Sequence, residues 1–216
     1  MNAVLAAQQS VSPENIELET VTIGSQQWCI QNLAEDKFRN GDPILHAQTK
    51  RQWRRAIKNQ QPAYCVLWSG TEHQDSARYA VEYGFLYNFY ALTDDRGLAP
   101  NGFVIPCCDD WVALGKYLES NGMKAKDLMS KEGWYNRKNG TNKTGFNARP
   151  GGGVYSNGEF LPESTHADIW SAPSCQESSA SYGCDYIHID YIKRELQFCS
   201  LIDFGSGLSV RCLKEK

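Results

Sequence analysis

The sequence has no run of about 18 apolar residues, so it offers no transmembrane helix. Its opening, MNAVLAAQQSVSPEN, is apolar only from Ala3 to Ala7 and has no basic residue ahead of that stretch. A secretory signal needs roughly 7–15 apolar residues behind a basic segment, so routing through classical secretion is not expected. A strong charge of either sign is also missing: 22 Lys and Arg stand against 25 Asp and Glu, for a net charge of −3. Without a basic excess the chain lacks the electrostatic footprint of a nucleic-acid binder. Its one basic cluster, Lys50-Arg51-Gln52-Trp53-Arg54-Arg55 with Lys58, reads as a solvated surface segment.

The usual marks of catalysis are absent as well. There is no Cys-x-x-Cys, the four histidines (His46, His73, His166, His188) lie far apart, and the vicinal pair Cys107-Cys108 suits tetrahedral zinc poorly. No metal and no other cofactor is expected. Gly151-Gly152-Gly153 lacks a following Lys-Ser/Thr and reads as a tight turn rather than a phosphate loop. Gly205-Ser206-Gly207 lacks the nucleophile-elbow pattern. Asp94-Asp95 and Asp109-Asp110 are sequence neighbours whose side chains point apart. The eight cysteines (Cys29, Cys65, Cys107, Cys108, Cys175, Cys184, Cys199, Cys212) read mostly as small buried hydrophobes.

What is present is a globular composition: 216 residues, 41% hydrophobic and 12% aromatic, enough to bury a core. Residues 1–19 read as a loosely ordered leader and 20–213 as a single domain. Val21-Thr22-Ile23, the turn at Gly24-Ser25-Gln26 and Trp28-Cys29-Ile30 have a hairpin pattern, and Asn40-Gly41-Asp42-Pro43 is a second turn. Helical spacing predicts a helix over 83–92, with Tyr83, Leu86, Tyr87 and Tyr90 on one face. It predicts another from an N-cap acid at Asp109 to Leu118, stopped by Asn121-Gly122. Beyond residue 130 short strands and turns dominate. Ile187, Ile189 and Tyr191 alternate with polar residues, Lys193-Arg194-Glu195 forms an exposed link, and Leu208, Val210 and Cys212 mark a terminal strand. The predicted class is α+β.

Several strings then resemble one family in its own order. Val21–Trp28, Gln31-Asn32-Leu33, Asn40–Ile44 and Ala63-Tyr64-Cys65 are followed by Tyr83–Ala91 and Leu98–Pro106 with Trp111. Thr144–Ala148 with Gly151-Gly152, Ile169-Trp170-Ser171 and Gly207–Leu213 complete the series, covering about residues 20–213. These resemble the Fibrobacter major paralogous domain. The resemblance implies a C-type-lectin-like fold in the variant shared with formylglycine-generating enzyme: two helices, a twisted antiparallel sheet, and long loops on one side. The family's cysteine usage does not carry over, because Ala99 and Cys107-Cys108 depart from its pattern. No string matches the active-site cysteines of the formylglycine enzyme. The calcium-binding triplets of sugar-binding lectins are absent too, since Gln61-Pro62-Ala63 lacks the second oxygen ligand.

The resemblance extends to variable proteins of diversity-generating retroelements, in which adenines of asparagine codons are randomised. Such codons cannot become Lys, Gln, Glu, Met or Trp. Ser178–Ile192 and Phe198–Ser209 contain none of those five types, and Lys193–Gln197 between them would be invariant scaffold. Residues 170–212 are therefore the candidate variable region, and randomised codons would account for Cys175, Cys184 and Cys199. The expected function is non-enzymatic binding of a protein or glycan ligand by a phage or bacterial protein, through one exposed face. Tyr182, Tyr191, Phe198 and Phe204 would anchor the ligand. Asp185, His188, Asp190, Ser200 and Asp203 would tune polarity, with Leu201 beside them. Two alternatives stand: an enzyme on the formylglycine-enzyme scaffold with a reactive Cys199 or Cys212, and a surface module of fixed sequence.

Overall fold

The hairpin forms as expected: β1 (Thr20–Ile23) pairs antiparallel with β2 (Gln26–Cys29) across a turn in which Gly24 has φ of 63°. The computed structural model describes residues 18–66, 76–161, 164–173, 185–200 and 203–215, so nearly all of the expected leader lies outside the described residues. In chain order there follow β3 (Leu45–His46), α1 (Lys50–Lys58), β4 (Ala63–Cys65), α2 (Ser76–Tyr83), β5 (Leu86–Asn88) and α3 (Phe89–Leu92). Next come β6 (Phe103–Val104), α4 (Cys108–Ser120), β7 (His166–Trp170), β8 (Tyr186–Asp190), β9 (Gln197–Cys199), β10 (Gly207–Ser209) and β11 (Leu213–Lys214). The fold is α+β. A four-stranded antiparallel sheet has the order β1-β2-β11-β6, and a seven-stranded mixed sheet the order β3-β4-β5-β10-β7-β8-β9. Among the described residues no helix is long and apolar enough to cross a membrane.

The helix expected over 83–92 is not there. α2 ends at Tyr83, and Gly84 turns the chain at φ of 75°, where a Cβ would lie 2.7 Å from the Leu33 carbonyl oxygen. The chain then runs as β5, paired antiparallel with β4 on one side and β10 on the other. A strand hydrogen-bonded on both edges overrides the local helical spacing, because its backbone groups are already satisfied across the sheet. Helix resumes only for the single turn of α3, whose cap is Asn88: its side-chain carbonyl accepts the Ala91 N–H at 2.9 Å.

α4 follows its expected course, with Trp111, Leu114 and Leu118 buried, but Asp109 is not its cap. The cap is Cys107, whose backbone N–H donates to the Asp110 carboxylate at 3.0 Å, so the acids sit inside the first turn, where the helix dipole favours them. The basic cluster forms α1. Its charged side chains are exposed as expected, but Trp53 and Ala56 are buried, so the segment is a packed amphipathic helix rather than a loose charged stretch. Gly151–Gly153 is no tight turn. It runs alongside β7, with the Gly152 N–H donating to the His166 carbonyl at 3.1 Å.

The C-terminal strand also departs from simple in-and-out alternation. Its residues 205–213 are all buried, and they cross from the large sheet (β10) to the small one (β11). Arg211 lies at that crossing. Its Nη1 donates to the carbonyls of Cys29 (2.8 Å) and Phe146 (2.7 Å), and its Nε and Nη2 donate to Asn32 Oδ1. Burial pushes its pKa down to about 10. Cys29, Cys65 and Cys212 are buried free thiols, as the hydrophobe reading expected. Cys107 and Cys108 are buried as well, but they are disulfide-bonded rather than free thiols.

Candidate functional site

The last strands of the large sheet divide their side chains cleanly. β7 and β8 pair antiparallel with His166 opposite Asp190, Asp168 opposite His188 and Trp170 opposite Tyr186. β9 adds Gln197 opposite His188 and Cys199 opposite Tyr186. Since side chains alternate along a strand, Ala167, Ile169, Ile187 and Ile189 all point the other way, into the core beneath α4. One face of these strands is apolar and covered. The other carries three polar or aromatic rows: His166–Asp190, Asp168–His188–Gln197 and Trp170–Tyr186–Cys199.

Asp168 is the centre of that face and only 5% exposed. One of its carboxylate oxygens lies 2.6 Å from His188 Nδ1 and the other 3.4 Å from His166 Nε2. The two imidazoles are 5.6 Å apart, and His166 Nδ1 contacts Thr165 Oγ1 at 2.8 Å. The hydrogen bond that His188 donates to the Asp168 carboxylate raises its pKa against the opposing effect of burial. Burial dominates at His166 and lowers its pKa. Two histidines facing one carboxylate are thus driven in opposite directions. In the next row Tyr186 and Cys199 share a side-chain hydrogen bond, and burial raises the pKa of both. Burial likewise drives the Cys212 thiol far up.

The aromatic side of the face continues into the loop before β10. Phe204 is 46% exposed and packs against Phe89 with the rings tilted, centroids 4.4 Å apart; Phe89 meets the edge of Trp170 at 6.1 Å. Trp170 is itself fixed by its Nε1 donating to the Tyr87 carbonyl at 2.7 Å.

Against this geometry the ten expected contact residues separate. His188 and Phe204 belong to the polar face and its aromatic extension. Asp190 begins the same face, but its Oδ1 accepts the N–H groups of Ile192 (2.6 Å) and Lys193 (2.8 Å), which holds the turn after β8. Asp203 does the same for its own loop, accepting the Gly205 N–H at 2.8 Å. The backbone of Asp185 is anchored at both ends, accepting from Ser171 and donating to Cys199. Ser200 follows β9 and is exposed. Phe198, although 44% exposed, lies on the opposite side: it pairs with Ile187, and a Cβ on Gly115 of α4 would come within 3.8 Å of its ring. Tyr191 packs edge-on against Tyr135 at 5.5 Å, with the Lys138 ammonium 5.1 Å over its ring. The eight described residues therefore do not share one face. Tyr182 and Leu201 lie outside the described residues.

Asp168, His166, Trp170, Tyr186 and Phe89 escaped the sequence reading. A signal for three of them exists: His166-Ala167-Asp168-Ile169-Trp170 alternates with the same period as the stretch from Tyr186 to Asp190, and register aligns the two. A cleft elsewhere, lined by Ile30, Asn32, Arg78, Val81, Glu82 and Arg149 among others, contains none of the expected contact residues. Among the described residues no three His, Cys, Asp or Glu side chains are grouped to hold a metal ion.

Neither the comparison with curated proteins nor that with solved structures returned a match. The family comparison did, over residues 21–214, which takes in the hairpin, the helices, both sheets and the whole candidate face. The chain thus belongs to the Fibrobacter succinogenes major domain family.

Proposed function

We propose that this chain is a non-enzymatic binding protein with a C-type-lectin-like fold of the formylglycine-enzyme type, and that a retroelement diversifies its C-terminal surface. The ligand is a protein or glycan. One observation carries the reading: among the described residues, three of the six large apolar side chains left open to solvent lie where the codon pattern permits variation. Ile192 (64% exposed), Phe198 (44%) and Phe204 (46%) all fall between β8 and β10. Large apolar side chains left open on a folded chain are candidate contact points for a ligand. The α+β fold, with α1 and α4 packed on the large sheet, agrees with the lectin-like reading.

The burial pattern narrows which positions can vary. Ile187, Ile189, Ser206, Leu208 and Ser209 lie inside the two permissive stretches yet are buried, so randomising them would cost stability. Variation is tolerable at Tyr186, His188, Ser200 and Phe204. The enzyme reading finds little support. A reactive thiol must be present largely as thiolate, whereas burial raises the pKa of both Cys199 and Cys212.

The deciding experiment is to sequence the DNA flanking the gene and look for a second, near-identical copy of the segment encoding residues 170–212. Differences confined to adenines of the copy, beside a reverse-transcriptase gene, are the expected result. No such copy, together with identical residues in sibling isolates, would leave a fixed-sequence surface module instead.

A further inference from the structure

Helix α1 holds five of the chain's 22 Lys and Arg and no acid. The rest of the chain sets 17 Lys and Arg against 25 Asp and Glu, a net charge of −8. At about 3.6 residues per turn, Arg51, Arg54, Arg55 and Lys58 fall within about 100° of the helix circumference and span about 10 Å of its length. All four are exposed, on the side away from buried Trp53 and Ala56. Lys50 has an acid partner in Glu159, at 2.7 Å. Among the described residues none of the other four has one within ion-pair distance.

This row of cations works against the helix that carries it. Arg51 faces Arg54 and Arg55 one turn on, and Lys58 faces the same two from the other end, so like charges repel along the whole row. Lys50 and Arg51 also occupy the first turn, where the helix dipole opposes cations. What holds α1 lies off the row: Thr49 Oγ1 accepts the Gln52 N–H at 3.2 Å, and buried Trp53 donates to the Gly205 carbonyl. Local choices that oppose stability collect where a site needs them.

Three of the four are Arg, whose guanidinium grips a carboxylate through two parallel hydrogen bonds. Neighbours in the row stand about 5–6 Å apart at Cβ, which suits several oxyanions along a line rather than one in a pocket. A protein partner needs an apolar core in the contact, and the outer face of α1 supplies only charge. Unpaired bases need aromatic rings beside the phosphate track, and the one aromatic of α1 is buried. A duplex, with one charge per about 1.7 Å, or an anionic bilayer would press more negative charge on the acidic remainder of the chain than so short a row offsets. A slender chain with spaced carboxylates touches the row alone. We propose that the outer face of α1 binds an acidic polysaccharide whose sugars carry carboxylates, held by Arg51, Arg54, Arg55 and Lys58. The row lies outside residues 170–212, so it stands whether or not a retroelement diversifies that region.

The test is isothermal titration calorimetry of the full chain with polygalacturonate near neutral pH. Expected is binding that weakens at least about tenfold between about 50 and about 200 mM NaCl, because ion-pair contacts release counterions. Changing Arg51, Arg54, Arg55 and Lys58 together to Gln should cost at least about tenfold in affinity. That variant should keep its far-UV circular dichroism and its thermal midpoint should not fall, since the repulsions are gone. Arg54→Gln with Arg55→Gln alone should cost about threefold or more. Changing Lys37, Lys116, Lys131 and Lys143 to Gln, all exposed and off the row, alters net charge equally and should cost less than about threefold. No binding of polygalacturonate, unaffected α1 variants, or equal losses in the two fourfold variants would overturn the proposal. So would tighter binding of polyglutamate, duplex DNA or phosphatidylglycerol vesicles than of polygalacturonate.

Discussion

Replacing Trp53 tests whether α1 is a structural support of the C-terminal strand rather than a surface appendage. Trp53 is fully buried among Ala56, Ala63, Cys65, Leu86 and Val154, and its Nε1 donates to the Gly205 carbonyl at 3.3 Å. A buried Trp removes about 150–250 Å² from water. At about 25 cal/mol per Å² that contributes about 4–6 kcal/mol, in line with the roughly 3–5 kcal/mol lost when buried aromatics are cut to Ala. The hydrogen bond adds about 1 kcal/mol. Against a total stability of about 5–15 kcal/mol, Trp53→Ala should remove a large share. The partner across the contact is Gly207, where a Cβ would lie 2.6 Å from both Trp53 Cη2 and Val154 Cγ1. Gly207→Ala should therefore cost about 1–3 kcal/mol by overpacking. Urea unfolding followed by far-UV circular dichroism gives both values, and the double variant completes the cycle. Because Trp53→Ala vacates half of the clash, the double variant should lose less than the sum of the singles, by on the order of 1 kcal/mol. A Trp53→Ala cost below about 1 kcal/mol would refute the packing reading. Additivity within about 0.5 kcal/mol would refute the coupling.

Three further outcomes are expected. By NMR titration, His188 should titrate above an ordinary histidine and His166 below it, and Asp168→Asn should lower the His188 value; an unmoved His188 would sink the pairing. The stability consequences have opposite signs: the raised His188 contributes stability that is full below about pH 6.5 and fades as pH rises through its folded pKa, while the depressed His166 contributes stability that is lost as pH falls. Arg211→Met should cost several kcal/mol, on the order of 3–5, by leaving the Cys29, Phe146 and Asn32 oxygens without their donor, and a thermal melt near wild type would contradict this. On β8, Ile187→Asn should destabilise by about 2–4 kcal/mol in urea unfolding, whereas Tyr186 and His188 substitutions should stay nearer 1 kcal/mol; equal costs would undo the division into a core face and an open face.

Local chemistry was legible wherever backbone and side chain answer to their immediate neighbours. The Gly24 hairpin, the Asn121-Gly122 stop and the alternation of Ile187 with Ile189 could be read directly, because turn residues and period-two patterning act over a few positions. The helix over 83–92 could not, since its spacing fits a helix and only the sheet partners of β5 decide otherwise. Trp53 was hidden for a related reason: five charged neighbours mask one aromatic whose partner lies about 150 residues away, at Gly205. At the candidate face, His188 and Phe204 were found by composition. Asp168 and His166 were missed because their relation to His188 exists only in the register of β7 against β8.

By itself the sequence determined the class, the family and two exposed aromatic side chains, Phe198 and Phe204, since these follow from composition, ordered motifs and local periodicity. Tertiary structure alone decided which of those side chains meet. Strand register placed one carboxylate between two histidines and sent Phe198 to the far side of the sheet, and the crossing of the last strand buried Arg211. Pairing of distant strands depends on backbone groups that every residue shares, so no single residue type records it.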